Sequence, residues 1–308
     1  MGTAGGNGTL SAASAASRRW LGWRGGVRAG LAALAMALSC GVVAGGSTGD
    51  AGFRFVVYGG TRGDAAVHAA LVTQMVASRP DFVLFTGGAV ASGRRASEWT
   101  AFDEATKPLR ALCPMHGVAG RREDGPQFQH RLGPPKGASG KGSYYSFDHK
   151  GAHFVVLDSH LPTSHTDEQT RWLAADLAAA GGTRTFVLFH NPIYSCKARG
   201  SHGLGRTYWH PLLVKHRVRA VFSGNHHLYL RTRQDGVTYI ITACGGSPLD
   251  RVDSRRGLLP DDVAAAVHHF LEVAVAPGGV RVRVVDPEGR TRDEFDVPVA
   301  AVPKPGGR

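Results

Sequence analysis

Five short stretches hold the side chains of this sequence that could do chemistry together. In order they read Gly59-Gly60-Thr61-Arg62, Gly87-Gly88, Gly120-Arg121-Arg122-Glu123-Asp124, His190-Asn191-Pro192 and Gly224-Asn225-His226-His227. Two chemistries compete for them. His190, His227 and the side-chain carbonyl of Asn225 offer donor atoms to a divalent metal. The set is a weak one, because none of the three neutralises the ion. Arg62, Arg121 and Arg122 offer permanently charged planar forks that suit phosphate or carboxylate and do not coordinate a cation. Glu123 and Asp124 read either as further metal ligands or as partners of the arginines beside them. Asp158-Ser159-His160 and His165 read as a second candidate site or, more simply, as a solvated loop. His202, His210 and His216 are spread around a helix. No Gly-x-Ser-x-Gly elbow supports a serine hydrolase, no Gly-x-x-x-x-Gly-Lys-Ser/Thr loop supports a nucleotide P-loop, and no Cys-x-x-Cys supports a zinc knuckle or dithiol site.

Each stretch follows a run that predicts a strand or a strand-like ending. Phe53–Tyr58 and Asp81–Thr86 are apolar, aromatic and β-branched, and both end in a glycine pair. His153–Asp158, Thr185–Phe189 and Val218–Phe222 have the same character. Helices are predicted near His68–Ala77, over residues 97–112, and from Thr166 through Ala180, where Thr166 reads as the N-cap and Gln169 as its capping-box partner. Pro80 stops the first of these by disfavouring helix at its predecessor. Residues 113–118 read as a short strand and residues 120–142, rich in Gly, Pro and charge, as a long surface loop. A hairpin is expected at Asp235-Gly236, two strands around Pro277-Gly278-Gly279, and a turn at Asp286-Pro287-Glu288-Gly289. Strands alternating with helices argue for an α/β fold, and continuously apolar strands argue that both faces are covered. Sites in such sheets form beyond the carboxyl ends of the strands, where the five stretches lie.

In order, spacing and flanking residues, the five stretches resemble the calcineurin-like metallophosphoesterases, and most of all the purple-acid-phosphatase type. That family runs Asp-x-His, Gly-Asp, Gly-Asn-His-Asp/Glu, His and Gly-His-x-His. The likeness covers about residues 52–300 and extends to Pro80-Asp81-Phe82-Val83, Tyr144-Tyr145-Ser146-Phe147-Asp148, Leu157-Asp158-Ser159, Trp172-Leu173 and Leu228-Tyr229-Leu230-Arg231. It implies a four-layer α/β/β/α sandwich of two mixed sheets. It also implies a two-metal centre that clamps phosphoryl oxygens and supplies a hydroxide, with a histidine to protonate the leaving group. The departures fall on the ligands. The aspartate positions are Gly60 and Gly88, the first histidine position is Arg62, the asparagine and acid-histidine positions are Arg121 and Arg122, and the first histidine of the last motif is Asn225. Only His190 and His227 stand where the family places metal ligands.

Three readings follow. The first is a pseudo-phosphoesterase with a degenerate dimetal site and no cofactor, whose Arg62, Arg121 and Arg122 bind a phosphate or phosphoester anion, or which binds a protein partner of unknown kind. The second is an active phosphatase or phosphodiesterase with a remodelled site holding two Fe, Mn or Zn ions. The third is a structural or interaction domain.

The chain has 308 residues, 42 of them glycine, about twice the usual ~7%. Residues 1–49 are expected to be an export signal. Arg18, Arg19, Arg24 and Arg28 precede or open the apolar run Ala29–Ala44, which is shorter than the ~20 residues of a membrane span. Ser17-Arg18-Arg19 resembles a twin-arginine signal, a general secretory signal or N-terminal anchor is the alternative, and Cys40 is a poor lipoprotein acceptor. Export to the periplasm, the exterior or a membrane-anchored state is therefore expected. Residues 50–300 read as one domain and 301–308 as a disordered tail. Net charge is +12. The basic residues are scattered, so nucleic-acid binding is not expected and any membrane contact is expected only through the N-terminal segment. Cys113, Cys196 and Cys244 allow at most one internal disulfide.

Overall fold

The computed structural model describes residues 52–299 except residues 124, 198–200 and 254–257. The expected export segment and the terminal tail lie outside the described residues. In chain order the elements are β1 (Phe53–Tyr58), α1 (Ala65–Ser78), β2 (Phe82–Phe85), α2 (Ala96–Leu112), β3 (Met115–Gly117), α3 (Pro126–Leu132), β4 (Ser139–Gly140), β5 (Tyr145–His149) and β6 (Ala152–Leu157). They continue with α4 (Glu168–Ala179), β7 (Arg184–Phe189), α5 (Gly203–Tyr208), α6 (His210–Lys215), β8 (Ala220–Ser223), β9 (Tyr229–Gln234), β10 (Val237–Ile241), β11 (Val263–Ala265), β12 (Phe270–Ala276), β13 (Gly279–Val285) and β14 (Thr291–Val297).

The strands form two mixed sheets, ordered β14-β13-β12-β1-β2-β3 and β11-β9-β10-β8-β7-β6-β5-β4. The parallel run β6-β7-β8-β10 is central in the second sheet, flanked by antiparallel strands on both sides, whereas β1-β2-β3 forms one side of the first sheet, with β3 at the edge and antiparallel strands beyond β1. Both faces of these strands are covered, as their unbroken apolar runs require. Phe55, Phe82, Phe154, Phe186 and Phe222 fill the space between the sheets. Phe55 stacks on Phe82 with ring centroids 5.3 Å apart and meets Phe154 edge-on at 5.2 Å. Each such ring contributes about 1.5–3 kcal/mol by its burial. On the outer face of the first sheet, Val56, Tyr58 and Phe85 pack on Leu71 and Met75 of α1 and on Trp99 and Phe102 of α2. On the outer face of the second, Val187 and Val221 pack on Leu173 of α4 and Leu213 of α6. The result is the expected α/β/β/α sandwich.

Local corrections are instructive. Helix α4 is capped by Asp167, not Thr166: the Asp167 carboxylate accepts from the Thr170 N–H at 2.9 Å. Gln169 does not complete a capping box, because its amide pairs with both backbone groups of Asp158 at 2.7 and 3.0 Å. The supposed long loop 120–142 contains α3 and β4, a helix of seven residues and a strand of two that are too short to show a period. The Asp235-Gly236 hairpin forms as expected, with φ of 48° and 87°. Cys113, Cys196 and Cys244 are buried free thiols. Among the described residues no helix is long and apolar enough to cross a membrane.

Candidate functional site

Beyond the carboxyl ends of β1, β2, β3, β7 and β8, backbone packs on backbone. The Gly60 N–H donates to the Gly87 carbonyl at 2.8 Å, the Thr61 N–H to the Gly88 carbonyl at 2.9 Å, and the Ser247 N–H to the Gly60 carbonyl at 2.8 Å. Thr86, fully buried, donates its hydroxyl to the Thr242 carbonyl at 2.7 Å. Side chains are obstructed at Gly60 and crowded at Gly88. A Cβ on Gly60 would stand 2.0 Å from the Ala243 carbonyl oxygen, and one on Gly88 would stand 3.0 Å from the Gly60 Cα. Their φ values are +64° and +84°, where a side chain is strained as well.

On this floor opens a cavity of about 330 Å³, lined by Arg62, Gly88, Val90, Gly120, Arg121, Arg122, Glu123, His190 and Asn225. The fold thus gathers the three arginines, His190 and Asn225 around one space. His227 does not line it. Its Nδ1–H donates to the Pro248 carbonyl at 3.0 Å and its backbone N–H to Asp250, which pairs with Lys197 at 2.5 Å. Gly60 does not line it either, and a side chain there would run into the backbone at Ala243. Arg62 is half-buried, whereas Arg121 and Arg122 are exposed on the wall. The Arg62 Nε lies 4.0 Å from the point where a Cβ on Gly88 would be. The guanidinium therefore borders the space that a side chain at that position would enter.

His190 is held in a defined state. Its Nδ1–H donates to the Thr86 carbonyl at 2.7 Å, which leaves Nε2 as the lone-pair nitrogen. Burial pushes its pKa down to about 4, and His160, Arg62 and His227 push the same way, so the ring is neutral at neutral pH. Burial also lowers the pKa of His227. Asn225 has φ of 62°, a left-handed conformation that its short polar side chain tolerates better than most.

Glu123 was the residue least legible in advance. It is 2% exposed, and its carboxylate takes three backbone N–H groups: Gly88 and Gly120 on Oε2 and Val90 on Oε1, each at 2.9 Å. Burial raises its pKa against the pull of those three donors and of Arg62. A carboxylate so engaged ties the loop after β2 to the loop after β3 and is not a spare metal ligand. The signal was an acidic residue three positions after Gly120, a spacing that also permits a local turn. Asp124 lies outside the described residues. Of the other candidates, Asp158 caps its own loop, and His160 lies near the site with its ring 5.5 Å from His190. His165 instead stacks edge-on against Tyr208 at 4.5 Å.

A larger cavity, of about 870 Å³, lies at the amino ends of β2 and β6, lined by Asp81, Phe82, Ala152 and His153 among others. His153 there bonds Asp148 at 2.7 Å and Asp176 at 2.9 Å. None of the five motif stretches reaches it.

No family model matches the chain. Its sequence is 31% identical over 153 residues to purple acid phosphatase 18 of Arabidopsis thaliana, a match covering 44% of this chain and 35% of that relative. Its fold is similar to that of a purple acid phosphatase from yellow lupin (Lupinus luteus) seeds, with a TM-score of 0.70 over 80% of this chain and 54% of that one at 15% identity. It is also similar to a Plasmodium protein described as the anchor in the inner membrane complex, with a TM-score of 0.62 over 80% of this chain and 89% of that one at 15% identity. In sequence, over less than half of its length, and in fold, over 80% of it, the chain is thus similar to purple acid phosphatases. The matched segment spans only about a third of the curated relative's length.

The superfamily implies a dimetal centre, and the residues at hand do not fit one. Gly60 and Gly88 bring no ligand atom, and a side chain at either meets a positive φ and a close backbone neighbour. Glu123 is spent on backbone N–H groups, and two exposed arginines and a half-buried one crowd the cavity with positive charge. His190 and His227 each spend Nδ1 on a backbone carbonyl, and two neutral imidazoles do not neutralise a pair of metal ions. Among the described residues no group of three or more His, Cys, Asp or Glu side chains converges as a metal site.

Proposed function

We propose that this is an exported phosphoesterase-fold protein that binds a phosphate-class anion without hydrolysing it. The observation that carries the proposal is the packed glycine floor: the two positions that would supply carboxylates face backbone at 2.0 and 3.0 Å, while three arginines surround the space above them. Exchanging carboxylates plus cations for guanidinium groups keeps a site attractive to anions, and removes the means of making a hydroxide nucleophile. The neutral His190 adds a lone pair that can accept a hydrogen bond from a protonated phosphate oxygen. The Plasmodium neighbour of the same architecture is described as an anchor. Export rests on the Arg18-Arg19 leader and its apolar run.

The test is the melting temperature of the mature protein with and without inorganic phosphate, at constant ionic strength and in the presence of a chelator. Phosphate at a large excess over its Kd raises it, as any ligand selective for the folded state does. Arg62→Ala removes most of the shift, and Arg121→Ala and Arg122→Ala each weaken it. A wild-type melting temperature indifferent to phosphate overturns the anion site.

A further inference from the structure

We infer that the anion site has two lobes, and that its ligand carries two linked phosphate-class groups rather than one. The inference rests on the anion-binding reading above and specifies what the site would take. Arg121 and Arg122 line not only the 330 Å³ pocket but also a second, adjoining cavity of about 750 Å³. The second cavity adds Arg94 and is otherwise walled by small or neutral residues such as Ser92, Gly93 and Gln127. Among the described residues no acidic side chain lines it. Arg62 lines the first lobe, Arg94 the second, and Arg121 and Arg122 line both, so the two lobes adjoin at that pair. Arginines spread over two adjoining lobes suit linked phosphates, since each group asks for its own set of donors.

The second lobe is built, not incidental. The Gly93 N–H donates to the Arg122 carbonyl at 2.7 Å, and the Trp99 indole N–H donates to the Gly93 carbonyl at 2.8 Å. The loop that carries Arg94 is thereby tied to the loop that carries Arg121 and Arg122. Glu123 ties the same two loops again through Gly88, Val90 and Gly120. In contrast to Arg94, the neighbouring Arg95 is already engaged, paired with Glu98 at 2.9 Å.

The experiment compares inorganic phosphate with inorganic pyrophosphate by calorimetry on the mature protein, with chelator present and ionic strength matched. Wild type binds pyrophosphate about tenfold or more tightly than phosphate, the size expected of one added charge-assisted contact. Arg94→Ala brings the two affinities within about threefold of each other, and Arg94→Lys restores part of the gap. Phosphate binding with no pyrophosphate preference overturns the two-lobed ligand and leaves the single-anion site standing. A pyrophosphate preference untouched by Arg94→Ala overturns the assignment of the second lobe. Binding of neither anion overturns both readings.

Discussion

At Gly60 and Gly88 the absence of a side chain is a structural commitment. If these positions had merely lost their carboxylates, aspartate could be put back. The packing says otherwise: each site combines a left-handed φ with a backbone atom in the way. Gly60→Asp and Gly88→Asp should each destabilise the fold by roughly 2–4 kcal/mol, from left-handed strain plus overpacking. Neither substitution, nor the two together, should create metal affinity. Denaturant unfolding and metal titration check this; a double variant of wild-type stability that takes up two metals per chain would refute the packing argument. The sequence showed plainly that Gly60 and Gly88 lack carboxylates and that arginines stand at 62, 121 and 122. It did not show that His227 is tethered through Nδ1 to the Pro248 carbonyl. That orientation is decided by the 248–250 loop, twenty-odd residues on and without a motif of its own. Nor did it show that Glu123 is buried, because an acidic residue beside two arginines reads first as a surface ion pair.

At the scale of elements, the site depends on two loops held together by one carboxylate. Glu123 satisfies three backbone N–H groups that no strand or helix supplies with acceptors. Glu123→Gln is nearly isosteric but turns an NH2 toward one or more of those donors. The expected cost is about 1–3 kcal/mol for a buried donor left unmet, together with weaker phosphate binding, because Arg121 and Arg122 ride on the loosened loop. Phosphate affinity and unfolding free energy measured on the same variant check this, and an unaltered pair of values would contradict it. Long elements with a clear apolar run, β1, β2, β6 and β7, were legible in the sequence to within a residue or two. Short ones were not: α3 and β4 lie in a stretch of Gly, Pro and charge whose shape is set by packing, with Phe128 and Leu132 buried against the core beside α2. The cap of α4 moved by one residue because two candidate caps, Thr166 and Asp167, are adjacent, and Gln169 found a tertiary partner in Asp158.

Taken whole, the molecule keeps the sandwich and changes the chemistry at its strand ends. The aromatic core between the sheets and the helices outside them do not depend on what lines the pocket, so the same fold can carry a different site. Purple-acid-phosphatase likeness in sequence and fold therefore says where a site is, and the residues lining it say what it does. The measurement that tests this most directly is metal content of the purified mature protein after incubation with iron, manganese and zinc, paired with turnover of a nitrophenyl phosphoester. The account predicts metal far below one ion per chain and no turnover that His190→Ala or a chelator abolishes. Close to two metal ions per chain, with hydrolysis lost on chelation, would contradict it.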